Sequence, residues 1–301
     1  MSKPAKSAAW FAVVVGIATA CFIAAKSHAA TPFPDVPTER FSVTVTGSGP
    51  DVILIPGLAS SAATWDGTVA HLKAHYRLHI LNLAGFAGEP AGANASGDIL
   101  PAEVEAIDTY IRANHLKPVV VGHSLGGTLS LMLAKAHPED VSKIVVVDAL
   151  PYIGLLFGPT VTVDMVKPQA TALKAGIEAA APDAFKAQET AGLSRLVTSP
   201  ANRDLVLGWA MASDRHVFAE AMYEDMITDL RPDLGAIKTP AVLLYPVNAA
   251  TGQTPEATEA FYRTSYAGLA GLSLVRIDNS LHFEMLDQPE AFNAALDAAL
   301  K

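Results

Sequence analysis

The chain has one cysteine, Cys21, among 301 residues. One thiol cannot close an intramolecular disulfide, so stability has to come from packing rather than covalent staples. A zinc ribbon or an iron–sulfur centre needs several cysteines and is excluded on the same ground. Basic residues are also scarce: 21 Lys and Arg face 30 Asp and Glu, for a formal charge of −9. Without a dense basic stripe, a nucleic-acid partner is not expected. Aromatics make up only 7% and charged residues 17%, whereas half of the chain is hydrophobic. The core is therefore aliphatic and alanine-rich, and large enough for one domain carrying an insertion. There is no internal repeat and no low-complexity tail. His71 and His75 have helical i,i+4 spacing, but Leu72 stands where a zinc protease would carry glutamate, and no further ligand is in view. No metal and no cofactor are expected.

The first residues differ from the rest. Lys3 and Lys6 precede an uncharged run from Ser7 to Ala25, followed by Lys26-Ser27-His28-Ala29-Ala30. A basic start, an apolar middle and Ser27-x-Ala29 describe a secretory signal peptide cut after Ala29, over residues 1–29. The alternative is a retained anchor, because the apolar run approaches the length of a membrane span. Membrane association is expected only in that case. Ala18-Thr19-Ala20-Cys21 loosely resembles a bacterial lipoprotein site, but no leucine stands three residues before the cysteine. Cleavage after Ala29 removes the only cysteine and predicts a periplasmic or secreted protein. Thr31 to Pro37 reads as an extended leader.

From residue 40 onward, apolar runs alternate with helical stretches. Phe41 to Thr46 has period two and predicts an antiparallel edge strand. Asp51–Ile55, Arg77–Leu83, Pro118–His123 and Lys143–Asp148 read as buried strands. Helices are predicted from Ser60 or Ser61 to Tyr76, over 101–113, and after residue 124. That rhythm predicts an α/β protein with a mostly parallel sheet covered on both faces by helices. It breaks after Asp148. Between about 151 and 237 no buried strand is evident, and helical character is confined to 169–181, 202–211 and 217–230. This segment predicts a helical cap inserted into a domain spanning 30–301. Strands then return at 240–245 and 272–277, with helices at 255–266 and 289–300.

The most informative stretch is Pro118-Val-Val-Val-Gly122-His123-Ser124-Leu125-Gly126-Gly127. A β-branched strand turns directly into a helix-forming run with Ser124 at the corner. The glycines let strand and helix approach closely, and the helix N-terminus favours negative charge beside the hydroxyl. The stretch resembles the nucleophile elbow of the α/β-hydrolase superfamily, of the serine esterase and lipase kind. A serine needs a base, and His282 lies between the last strand and the last helix, at the sheet's carboxyl edge. His282-Phe283 followed by Asp287-Gln288-Pro289-Glu290 also resembles the family's histidine loop. His123, at the turn itself, is not assigned as base.

The resemblance implies an oxyanion hole made by the N–H of Leu125 and the N–H of Leu58, in a Pro56-Gly57 loop where the family often has His-Gly. It also implies an acid, and here the chain departs from the common pattern. Many relatives carry Asp after the strand that follows the cap, but Tyr245-Pro246-Val247-Asn248-Ala249-Ala250-Thr251-Gly252 has no carboxylate. Asp148, at the end of the strand after the elbow helix, takes the role, as in some family members. Asn248 is the next candidate, ahead of Asp225, Asp229 and Asp278. The expected activity is hydrolysis of a small carboxylic ester or lactone through an acyl-enzyme at Ser124. Perhydrolysis, acyl transfer and a non-catalytic binding role on the same scaffold are the alternatives. Of the cap's larger apolar residues (Leu155, Leu156, Phe157, Met165, Trp209, Met211, Met222 and Met226), some are expected to line a pocket for a modest apolar acyl group, and most to form the cap's own core.

Overall fold

The computed structural model describes residues 39–301. The signal peptide and leader expected before residue 38 lie outside the described residues. The strands are β1 (Phe41–Gly47), β2 (Asp51–Ile55), β3 (Arg77–Leu83), β4 (Val119–His123), β5 (Lys143–Val147), β6 (Ala241–Val247) and β7 (Ser273–Asp278). They form one sheet in the order β1-β3-β2-β4-β5-β6-β7. Only β1 is antiparallel, pairing Phe41 with Leu83 through to Gly47 with Arg77. The central strands are sealed on both faces: from Ile53 to Ile55 and from Ile144 to Val147 every residue has zero exposure. That is why their sequences are apolar without alternation. The strand β7 is an edge, and only Ile277 in it is buried.

Helices α1 (Asp66–Leu72), α2 (Leu100–Ala113) and α3 (Leu125–Ala136) connect the first strands, and α8 (Pro255–Ser265), α9 (Glu284–Asp287) and α10 (Pro289–Leu300) complete the body. Trp65 and Phe292 pack ring on ring, 6.3 Å apart, joining the start of α1 to α10. The first of these helices is shorter than its sequence predicts. Ser61 accepts a hydrogen bond from Ala63 N–H and caps a 3-10 turn, and α1 ends at Leu72. Residues 73–76 then form a turn packed against Gly47 and Gly49, so His75 leaves the helix and cannot pair with His71.

The chain winds outward through β2 and β3, then crosses back to lay β4 on the other side of β2. Ligands bind such open sheets beyond the carboxyl ends of the strands at this switch point. The loop after β2 and the turn after β4 are thus placed side by side there.

Above that edge lie α4 (Val163–Ala179), α5 (Pro182–Leu193), α6 (Pro200–Ala212) and α7 (Arg215–Ile227), between β5 and β6. Two differ from expectation. The first, α4, begins before Pro168, because an early proline forfeits only one backbone bond and the rest of the helix compensates. The second, α5, was not expected at all: it buries only Phe185 and Leu193, too few to show a periodic stripe. The cap has its own apolar clusters, one around Tyr152, Val166, Ala170 and Met226, and another joining Phe185 and Phe218 to Ala59 of the β2 loop.

Polar tethers fix the cap to the body. Asp214 N–H donates to Gly85 O at 2.7 Å, and Ser213 Oγ accepts from Ala87 N–H at 2.9 Å. Glu224 on α7 accepts from the N–H groups of Ile99 and Leu100, both at 2.7 Å. Helix α2 has no side-chain cap of its own, so this carboxylate satisfies orphan donors at the positive end of the helix. Glu224→Ala is expected to cost about 2 kcal/mol, the penalty for stranding buried donors, and to lower the urea midpoint. Glu224→Gln, which keeps one acceptor, should lose less.

Candidate active site

Ser124 stands between the end of β4 and the start of α3, with φ 53° and ψ −119°. Such a backbone costs a non-glycine residue about 1–3 kcal/mol and persists only when its surroundings enforce it. Three hydrogen bonds do so. Ser124 N–H donates to Val147 O at 2.9 Å, and Ser124 O accepts from the N–H groups of Gly127 at 2.7 Å and Thr128 at 3.1 Å. The close approach needs glycine. A Cβ on Gly122 would lie 2.0 Å from Gly126 O, and one on Gly126 would lie 2.4 Å from Ile55 O.

His282 occupies the loop between β7 and α9, and its Nδ1 lies 2.6 Å from Asp148 Oδ2. Asp148 follows β5 directly and also has positive φ, 40°. Its other oxygen, Oδ1, accepts from the Tyr262 hydroxyl on α8. Burial works to raise the Asp148 pKa, but the charge and hydrogen bond of His282, with the Tyr262 hydroxyl, outweigh it and hold the carboxyl below its ordinary value. Asp148 therefore stays ionised, with one oxygen free to orient an imidazole. With Nδ1–H directed at Asp148, Nε2 of His282 is left as the basic nitrogen.

Two elements hold the histidine loop. His123 is wholly buried and donates from Nε2 to His282 O at 2.8 Å, its ring 4.6 Å from those of His282 and Phe283. Burial, then the neighbouring charge of His282, pushes its pKa down to about 3. A permanently neutral His123 is a structural donor and not a base. Asp287 bridges the loop to the cap: Oδ2 accepts from Leu281 N–H at 2.9 Å, and Oδ1 from Thr198 N–H and Oγ1 at 3.0 and 2.7 Å. Glu284 is also fully buried, without a hydrogen-bond partner among the described residues for either carboxyl oxygen. Burial, and then the charge of Asp148, raises its pKa well above the usual range and favours the neutral acid.

Ser124, Asp148 and His282 border one cavity of about 650 Å³ beneath the cap. Neither Leu58 N–H nor Leu125 N–H has an acceptor among the described residues. Leu125 opens α3, so its N–H points from the positive helix end. No hydrogen bond joins Ser124 Oγ to His282 in this structure. Such contacts are commonly long without substrate and tighten when it binds. The arrangement can deprotonate a hydroxyl at Ser124 and stabilise an oxyanion beside it.

The other acid candidates are engaged elsewhere. Asn248 Oδ1 accepts from Ala250 N–H, Asp229 pairs with Arg231, and Asp278 pairs with Arg276. Asp225 accepts from Thr128 Oγ1. Of the apolar cap residues singled out above, Leu155 and Leu156 line the cavity. Met222 and Met226 belong to the cap clusters, Trp209 joins the main core, and Phe157 and Met165 face solvent. Sequence reasoning did not find Tyr262 or the anchoring role of His123. Tyr262 is 114 residues from Asp148 along the chain, and no local pattern marks such a contact.

Residues 52–295 match the model of the alpha/beta hydrolase family. Over 116 residues the chain is 35% identical to the pimeloyl-[acyl-carrier protein] methyl ester esterase of Aeromonas salmonicida, covering 38% of this chain and 42% of that protein. The chain thus matches about two fifths of the length of that relative. The enzyme of the same name from Edwardsiella ictaluri is 26% identical over 248 residues, 82% of this chain and 91% of its own. Among solved structures, a hydrolase from Pseudomonas aeruginosa superposes with a TM-score of 0.70 at 20% identity, over 86% of this chain and 94% of that one. The enol-lactonase of Burkholderia xenovorans superposes with a TM-score of 0.70 at 18% identity, over 86% and 96%. At these identities the structural likeness is one of fold.

The elbow geometry makes a direct prediction. Gly126→Ala drives a methyl group into the backbone at Ile55 and Pro56. It should cost about 3 kcal/mol, the upper range for overpacking, in a urea titration, or prevent soluble expression. Gly176→Ala, on α4 with open space around it, should instead be neutral or stabilise by up to about 1 kcal/mol.

Proposed function

This chain belongs to the alpha/beta hydrolase family, and on that premise we propose that it is a serine hydrolase of small carboxylic esters or lactones. The observation that carries the reading is the Asp148–His282 pair, 2.6 Å apart, opening on the same cavity as the strained Ser124. Ser124 Oγ attacks the carbonyl carbon while His282 Nε2 takes the hydroxyl proton. Asp148 remains ionised and stabilises the imidazolium that forms. The carbonyl oxygen becomes an oxyanion and accepts from the N–H groups of Leu58 and Leu125. Collapse expels the alcohol, which receives the proton from His282, and leaves an acyl-Ser124 ester. Water then attacks that ester, giving its proton to His282. The second tetrahedral species releases the acid and returns the proton to Ser124.

An apolar cavity wall including Ile153, Leu155, Leu156 and Leu281 supports an apolar acyl group of modest size. The methyl ester esterase names of the relatives agree with ester cleavage. The same proposal puts the protein in the periplasm or outside the cell, supported by Lys3, Lys6, the apolar run and Ser27-x-Ala29. N-terminal sequencing of the protein from its host checks cleavage after Ala29.

A fluorophosphonate probe and a short-chain ester assay test the mechanism together. Ser124→Ala should abolish labelling, and labelling that survives it would overturn the nucleophile. His282→Ala should lower kcat by about 10⁴-fold or more, and Asp148→Asn by roughly 10⁴-fold, because the wrong tautomer is then stabilised. Tyr262→Phe removes one donor from an ionised carboxylate and should cost about 10- to 100-fold, at 1.5–3 kcal/mol for such a bond. Unchanged kcat in Asp148→Asn would remove that residue from the triad and leave Ser124 and His282 in place.

A further inference from the structure

The mechanism leaves one carboxylate of the cavity unused. Asp225 lies on α7, the cap helix that faces the site, and borders the cavity beside Ser124 and His282. One oxygen is fixed: Oδ1 accepts from Thr128 Oγ1 at 2.9 Å. Thr128 is itself anchored by its N–H to Ser124 O. Asp225 is therefore held one helical turn from the nucleophile. Its second oxygen has no hydrogen-bond partner among the described residues and is not among the sealed, unpartnered atoms, so it opens on the cavity.

The surroundings make this position costly. Ala149, Leu150, Ile153, Leu155 and Leu281 supply much of the wall. Burial raises the Asp225 pKa to about 6, against the opposing pull of Thr128 and of His282. The group is thus half-satisfied and, with a pKa near 6, mostly charged at neutral pH, in a cavity whose wall is largely apolar but also carries Arg195, Asn248, Thr251 and Gln253. A carboxylate so placed raises the energy of the empty site, and a ligand donor that meets it relieves that cost. An unsubstituted alkyl group laid against it cannot. A site with a buried polar group discriminates strongly in favour of substrates that pair with it.

We propose that Asp225 is a specificity-determining residue whose free Oδ2 accepts a hydrogen bond from the substrate, selecting esters that carry a hydroxyl group over plain alkyl esters. This rests on the reading of Ser124 as nucleophile. The carboxylate belongs to the cap and makes no hydrogen bond to the proposed triad, although His282 is close enough to pull on its pKa.

The test compares kcat/KM for methyl hexanoate with that for methyl 2-hydroxy-, 3-hydroxy- and 6-hydroxyhexanoate and for 2-hydroxyethyl hexanoate. At least one hydroxylated ester should be preferred by about tenfold or more in the wild-type protein. Asp225→Leu, of similar volume, should bring that ratio to about one. Asp225→Asn keeps an acceptor and should retain part of the preference. Equal rates for all five esters in the wild type, or a preference that persists in Asp225→Leu, overturn the proposal. The wild-type comparison stands even where Asp225→Leu fails to fold. Fluorophosphonate labelling of Ser124 separates the two readings. A protein that is labelled and cleaves methyl hexanoate without hydroxyl preference defeats the role of Asp225 alone, whereas absence of labelling defeats the nucleophile and this proposal with it.

Discussion

The 2.6 Å contact between His282 and Asp148 is the interaction on which the architecture of the site depends. It joins the loop after β7 to the end of β5, two strands separated in the sheet by β6. For the side chains to meet across that gap, three further elements have to be in place. Helix α8 presents Tyr262 to the far oxygen of Asp148. His123, at the end of β4, holds the backbone of the histidine loop from below. Asp287 ties the same loop to Thr198 of the cap. Each tether is polar and buried or half-buried, so each is strong only because water is kept away from it. The aliphatic core provides that exclusion. The low aromatic content noted from composition is therefore no defect: Val and Ile on sealed strands set the platform, and the few large rings (Trp65, Phe292, Tyr262 and Tyr266) are buried where elements join.

The sequence carried the body of this fold well, for physical reasons that can be named. Strands sealed on both faces favour unbroken apolar runs rich in β-branched residues, and such runs are visible in Val52 to Ile55, Val119 to Val121 and Ile144 to Val147. The elbow was legible because its backbone forces glycine at two spacings around the serine. Asp148 could be expected near Ser124 because it follows a strand that pairs directly with β4, in a place that the family resemblance also offers for an acid. The cap was legible only as a break in rhythm. Its helices bury few residues each, and α5 buries two, so periodicity had little to register. The end of α1 was missed because its terminator is a tertiary contact with Gly47 and Gly49. Tyr262 was missed for the same reason on a larger scale: its helical face is defined by what lies across the sheet, not by its neighbours in sequence.

The proposed position of the acid, at Asp148, has a structural consequence. With the carboxylate at the end of β5, the segment after β6 has no charge to supply. Asn248 there caps a short 3-10 turn, accepting from Ala250 N–H, and borders the cavity as a neutral group. In the proposed mechanism that loop has no part in orienting His282. The task falls to Asp148, just after β5, where its N–H donates to Leu244 O at 2.9 Å. A positive φ at Asp148 aims its side chain toward the histidine, as a positive φ at Ser124 aims the hydroxyl into the cavity. Two strained residues on adjacent strands are therefore locked by one hydrogen-bonded sheet edge, since Ser124 N–H itself bonds Val147 O.

Four titratable groups around His282 are driven apart by their surroundings. Asp148 is held ionised by its two donors, although it is buried. Glu284, buried without a hydrogen-bond partner among the described residues, is favoured as the neutral acid. His123 is favoured as the neutral ring. Asp225 lies between, near 6. In the proposed mechanism, the neutral forms of Glu284 and His123 leave Asp148 as the carboxylate hydrogen-bonded to His282, while Asp225, tethered through Thr128 to the elbow, adds its charge from the cap side. The Tyr262 hydroxyl, on the far oxygen, works with His282 to hold Asp148 ionised against the cost of its burial.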